Sequence, residues 1–128
     1  MKKSDRQKVF DKYDGRCAYC GCELSMKEMQ VDHLICQRNF EMHIRNKWNI
    51  PERLKHLTIN DVNHIDNLMP SCRSCNKFKD TFHLELFRSE ISEQPNRFRK
   101  YKATFRIAER YGVIQETKRP VVFYFETL

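Results

Sequence analysis

The chain has no run of about 18 apolar residues, so no segment of it reads as a membrane-spanning helix. Its opening, Met1-Lys2-Lys3-Ser4-Asp5-Arg6, is not followed by an apolar signal-peptide stretch, and a cytoplasmic location is therefore expected. No internal repeat and no low-complexity segment is found. The missing secretory signal bears on the six cysteines, which in an oxidising compartment would be read as three disulfides. In a reducing compartment they are expected as thiolates, and thiolates in Cys-x-x-Cys pairs argue for zinc.

What is present fits one ordered domain over residues 1–128, a length that leaves room for one modest core. Charged residues make up 32% of the chain, while nine Phe, five Tyr and one Trp supply the bulky apolar groups such a core needs. The mean hydropathy is -0.77. The net charge of +7 is unevenly placed, with +3 over residues 1–16, -1 over 17–94 and +5 over 95–128. A polyanion that contacts the ends and is worked on by the centre would explain this distribution, and so would a solvated surface that keeps a small protein soluble.

Two segments carry the chemistry. Val31-Asp32-His33-Leu34-Ile35 places an acidic metal ligand beside a base, and Asp66-Asn67-Leu68-Met69-Pro70-Ser71-Cys72-Arg73-Ser74-Cys75-Asn76-Lys77-Phe78-Lys79 places oxygen and nitrogen donors on a cysteine-bearing turn. Together they offer what metal-assisted cleavage of a phosphodiester requires. Cys17-x-x-Cys20 and Cys72-x-x-Cys75 complete a four-sulfur set across 51 intervening residues. Four sulfurs leave no open position, so this zinc is expected to be structural and to contribute on the order of 10 kcal/mol to folding. Cys22 and Cys36 are left over; Cys22 could replace Cys20, though the spacing favours Cys20, and Cys36 reads as a small buried thiol.

The local pattern predicts a short helix from a Ser4 cap to Lys12, a turn at Asp14-Gly15, and a knuckle at Cys17 to Gly21 in which Gly21 takes positive φ. Met29 to Ile35 reads as a strand, whose alternation sends Asp32 and His33 to opposite faces unless the strand ends or bends there. Residues 37–65 are poorly periodic, with Trp48 and Pro51 as landmarks and a short helix between Phe40 and Lys47. The turn at Cys72 should open a helix through Lys79, and Phe82, Leu84, Leu86, Phe87 and Ile91 suit another that ends before Pro95. From Asn96 to Tyr111 one helix is expected, with Phe98, Tyr101, Phe105 and Ala108 on one stripe and Arg99, Lys102, Arg106 and Arg110 on a basic one. Gly112 stops it, and Val121 to Phe125 reads as a closing strand.

On these residues the chain resembles the HNH endonucleases, particularly the short free-standing ones of bacteria, prophages and phages. The resemblance runs from Tyr13-Asp14-Gly15-Arg16-Cys17-Ala18-Tyr19-Cys20-Gly21 through Val31-Asp32-His33 and Asn67 to Asn76, and on to Lys79. It covers residues 6–91, and Tyr111-Gly112-Val113 with Val122-Phe123-Tyr124-Phe125 also looks like that group. It implies an α+β fold, with a ββα-metal core at about 13–80 on a treble-clef-like zinc frame. Additional helices and a C-terminal strand would follow over about 82–128.

By the same resemblance His33 would be the general base and Asp32 a ligand of the catalytic cation. Asn67 would hold the loop that orients His33, and Asn76 would be the second metal ligand where many members have His. Carboxylate and amide oxygens suit Mg²⁺ or Mn²⁺. Arg73, Lys77 and Lys79 around the metal turn are candidates for phosphate contact, as are Arg99, Lys102, Arg106 and Arg110 further on; the alternative is solvated helix surface. Where Pro and Lys are expected after Ile35 the chain has Cys36-Gln37, which should lower activity. His64 is a possible extra ligand or substrate contact but reads better as a loop histidine, and His43, His56 and His83 have no partner spacing.

The implied partner is DNA, bound with low sequence specificity, and a phage setting would suit packaging proteins as a further partner. Two other expectations stand beside the nuclease: a DNA-binding or protein-binding inhibitor module without useful turnover, and a zinc-stabilised RNA-binding protein.

Overall fold

A computed structural model describes residues 1–46 and 50–128; the expected landmark Trp48 and the last residue of the helix expected to reach Lys47 lie outside the described residues. The fold is α+β, with six helices and one two-stranded antiparallel sheet among the described residues. In chain order these are α1 (Lys3–Asp11), β1 (Gln30–His33), α2 (Phe40–Asn46), β2 (Leu68–Ser71), α3 (Arg73–Lys79), α4 (Leu84–Ser92), α5 (Gln94–Tyr101) and α6 (Ala103–Arg110). Short 3₁₀ turns fill the connections, among them Ile59–Asp61, Ile65–Asn67 and Tyr124–Thr127. None of the described helices is long and apolar enough to cross a membrane.

The chain divides into two compact units, Met1–Phe87 with Val122–Leu128, and Arg88–Val121. In the first, β1 and β2 pair so that Asp32 lies opposite Met69 and His33 opposite Leu68. Val9 of α1 packs with Met29 and Leu68, and Phe10, Leu24 and Val31 close over them. α1 starts at Lys3 with no side-chain cap, so Ser4 sits inside the first turn and is not the cap expected for it.

A second cluster grows around Tyr19 of the knuckle. Phe87, Phe123 and Phe125 meet its ring edge-on at 5.5, 5.7 and 6.3 Å, and Phe87 stacks on Phe123 at 5.1 Å. Such edge-to-face contacts add to the burial of large apolar surface. The aromatic residues near the C-terminus are thus core, but they are not the strand expected there. Tyr124 N and Phe125 N donate to the carbonyls of Tyr19 and Ala18, and the chain then turns into the 3₁₀ segment, with Glu126 accepting from Phe123 N. Phe123 and Phe125 do point to the same, buried side, as a period of two requires. Their backbone partner is the knuckle loop, and a strand needs a ladder.

In the second unit the single helix expected from Asn96 to Tyr111 is two helices, broken at Lys102, whose backbone is extended (φ -121°, ψ 101°). Phe98 and Phe105 would stand about 10 Å apart along one helix; the break brings their rings to 5.5 Å. It also lets Arg99 reach Glu109 with two hydrogen bonds of 2.8 and 2.9 Å, and Glu116 as well. Arg106 Nη1 donates to the carbonyl of Arg99 and so caps the end of α5. The continuous basic stripe of Arg99, Lys102, Arg106 and Arg110 is therefore not formed. Gly112, at φ 73°, ends α6 as expected.

Candidate metal centres and active site

The two Cys-x-x-Cys turns come together from opposite ends of the first unit. Cys17 N donates to Cys22 O and Gly21 N to Cys17 O, which curls the knuckle; Gly21 takes φ 77°, a conformation that suits glycine. Cys72 caps α3, its Sγ accepting from Cys75 N at 3.3 Å. Ala18 N donates to Pro70 O at 2.8 Å and ties the knuckle to β2.

The sulfurs of Cys17, Cys20, Cys72 and Cys75 all lie within 4.8 Å of one another, and Cys20 Sγ is 3.8 Å from Cys72 Sγ. Tetrahedral zinc with Zn–S bonds of about 2.3 Å requires sulfurs about 3.8 Å apart, whereas a disulfide requires about 2.05 Å. The quartet can hold a metal ion such as zinc. A hydrogen bond from Cys75 draws the Cys17 thiol down, and the same bond pushes the Cys75 thiol up. Cys22 lies outside the quartet, and partial burial beside Cys20 holds its thiol up at about 12.

Beyond the sulfurs, β1 delivers Asp32 and His33 to opposite faces and ends there. Asp32 is buried; its Oδ2 accepts from Tyr19 Oη at 2.5 Å and forms an ion pair with Lys79 Nζ at 3.0 Å. Oδ1 takes neither of these contacts. Burial first, and then the neighbouring Asp32 carboxylate, push the Tyr19 phenol well up, which fixes it as the donor in that pair.

Lys79 departs from its expected role. It is 0% exposed, its ammonium is shared between Asp32 and the His33 carbonyl at 2.9 Å, and it lies 6.0 Å from the centre of the Tyr19 ring. It is held inside the fold and does not face a phosphate. Its spacing carried the signal, since Cys72, Cys75, Asn76 and Lys79 follow the i, i+3, i+4, i+7 pattern of one helix face. Arg73 and Lys77 fall off that face and are exposed, while Asn76 is half-buried on α3, which packs against β1.

His33 Nε2 lies 2.8 Å from Asn63 Oδ1. With that oxygen as the acceptor, Nε2 carries the proton and Nδ1 keeps the lone pair. Asn67 is fully buried, and its side chain accepts from Ile35 N at 2.8 Å while donating to Ile35 O at 3.0 Å and Val62 O at 2.8 Å. It clamps the backbone two residues after His33 to the loop that carries Asn63. Lys12, at the C-terminal end of α1, braces that loop by donating to the carbonyls of Ile65 and Leu68.

No protein-family model matches this chain, and no curated protein or solved structure does either. The site itself has to carry the functional argument. Asp32, His33, Asn67 and Lys79 are brought together at the end of β1, with Asn63 and Tyr19 as partners the sequence reading missed. Arg99, Lys102, Arg106 and Arg110 belong to the other unit, on two helices. Of these, Lys102 and Arg110 are exposed, and the Arg99 guanidinium is held by carboxylates.

Proposed function

We propose that the chain is a divalent-metal-dependent DNA endonuclease or nickase of the HNH type. The observation that carries this reading is the Asn67 clamp: a buried amide fixes the backbone after His33 on both its donor and its acceptor, holding an imidazole with one free nitrogen at the end of a strand. General-base catalysis needs a base held in this way. The order β1, β2, α3, with four cysteines gathered at the knuckle and at the start of α3, supports a ββα-metal core on a treble-clef-like zinc frame.

In this reading His33 takes the proton of the attacking water through Nδ1, while the Asn63 amide holds the other nitrogen. Asp32 Oδ1 and the Asn76 amide oxygen would hold the catalytic ion, Mg²⁺ or Mn²⁺, which when bound supplies charge to the scissile phosphate and the departing oxygen. Arg73 and Lys77 contact backbone phosphates from the exposed side of α3, which positions DNA without reading its sequence. Zinc in the cysteine quartet is structural. Comparing DNA binding with cleavage in His33→Ala, which leaves the buried Asp32–Lys79 pair intact, tests the assignment, because cleavage should be lost while binding stays within a few-fold.

One observation favours a second reading, a binding or inhibitor module without turnover. Lys79 already neutralises the Asp32 carboxylate from inside the fold, and a neutralised carboxylate attracts a cation less strongly. Metal-independent DNA binding with no cleavage in any divalent ion would select that reading.

A further inference from the structure

His56, His64 and Asp66 form a second group of metal-ligating side chains, apart from the cysteine quartet and from Asp32 and Asn76. His56 Nε2 lies 3.3 Å and His64 Nδ1 lies 3.6 Å from the same oxygen, Asp66 Oδ2. The two rings stand nearly perpendicular, at 81°, with centres 5.6 Å apart. Both separations exceed the range of good N–H···O hydrogen bonds. The first matches the edge of a tetrahedron around an ion with nitrogen and oxygen ligands at 2.0–2.1 Å, which is about 3.3–3.4 Å, and the second is about 0.2 Å longer than that edge.

The framework around the three residues is already fixed. Lys12 holds the carbonyls of Ile65 and Leu68 on either side of Asp66 and Asn67, and Asn67 is clamped to Ile35. His56 stands between Leu54, its side chain fully buried, and Leu57, buried almost as deeply, while Leu57 N bonds to Leu54 O. His64 Nδ1 accepts from Asp66 N at 3.1 Å, so it carries a lone pair, which coordination would take over from that hydrogen bond. The side chains themselves stay accessible, at 55%, 39% and 44% for His56, His64 and Asp66.

We infer that His56, His64 and Asp66 bind a borderline divalent transition-metal ion, Zn²⁺, Co²⁺ or Ni²⁺, in a three-ligand site with an open position. Two imidazoles and one carboxylate select such an ion over Mg²⁺, which prefers oxygen. Three protein ligands leave room for water or an incoming group, unlike the closed four-sulfur site. His64 directly follows Asn63, the partner of His33, so an ion here would tie down the loop that holds that imidazole.

The test is a Co²⁺ titration of the full chain with its cysteine quartet already filled with zinc, read by visible absorption and by paramagnetic broadening of the histidine ring signals. Saturation at one Co²⁺ per chain is expected, with nitrogen- and oxygen-type bands, and with His56 and His64 broadened first. His56→Ala, a change at a largely exposed position, should weaken binding by more than about 100-fold, since removing a ligand costs more than removing a partner of a ligand. Asp66→Asn should do the same. The inference is overturned by any of three results: no saturable binding up to millimolar Co²⁺, only thiolate-to-cobalt absorption, or an affinity that His56→Ala leaves unchanged.

Discussion

Lys79 Nζ lies 3.0 Å from Asp32 Oδ2, with the lysine wholly inside the fold and the aspartate nearly so. A helix reaching in from the Cys72–Cys75 turn thereby neutralises the acidic residue at the end of β1. Removing one partner of a buried pair leaves the other charge uncompensated, at a cost of about 3–5 kcal/mol. Lys79→Met should lose about that much stability in denaturant titrations of the zinc-loaded protein, and adding Asp32→Asn should recover part of it. A loss under about 1 kcal/mol, the range of exposed pairs, would show that the pair is not buried in solution.

The cysteine quartet separates Cys20 from Cys22. Zinc content should fall to zero in Cys17→Ser and Cys75→Ser, with loss of the folded circular dichroism signal, while Cys22→Ser keeps one zinc per chain at that site. Retention of tight zinc by Cys20→Ser together with its loss from Cys22→Ser would reverse the ligand assignment.

Asn67 makes three hydrogen bonds to backbone groups from a fully buried position. Asn67→Ala should destabilise the protein by about 3 kcal/mol, because it leaves buried groups of Ile35 and Val62 unpaired. In amide spectra the largest changes should fall at Ile35 and in the loop carrying Asn63. A substitution that costs nothing and leaves those signals in place would remove the clamp from the description of the site.

Lys12 gives the stability a pH dependence of definite sign. Burial, and then the charge of Arg53, bring its ammonium down from 10.5 to about 8 in the folded chain, against the weaker pull of Asp66. Between about pH 8 and 10.5 the unfolded chain binds more protons at this residue than the folded one, so Lys12 makes stability rise with pH across that window. Comparing Lys12→Met with the parent isolates the effect: the parent should gain on the variant as pH is raised from 8 to 10, and a flat or falling difference would contradict the burial of that ammonium.

Where the determining contacts are local, the sequence was readable. The Cys-x-x-Cys turns, the positive φ at Gly21, the strand around Asp32 and the helix from Arg73 to Lys79 follow from short-range spacing and are found. Long-range pairing was not readable. Lys102 is an ordinary helix former, and the break there goes with long-range meetings such as those of Phe98 with Phe105 and of Arg99 with Glu109. Val121 to Phe125 has strand composition, but the amides of Tyr124 and Phe125 go to the knuckle and that of Phe123 to Glu126. The charge of Lys79 points to the surface while its helix face places it inside, and His56 has no partner spacing in the sequence because only the fold of an irregular loop brings it to His64 and Asp66.

The most direct measurement is conversion of supercoiled plasmid by the zinc-loaded chain in Mg²⁺, Mn²⁺ or EDTA, run beside His33→Ala of equal zinc content. Nicked or linear DNA formed only by the parent, and only with a divalent ion, is the expected result, and the ratio of the two products separates a nickase from a double-strand cutter. DNA binding by both proteins without cleavage in any metal, or cleavage that survives His33→Ala, would contradict the assignment of His33 as the base.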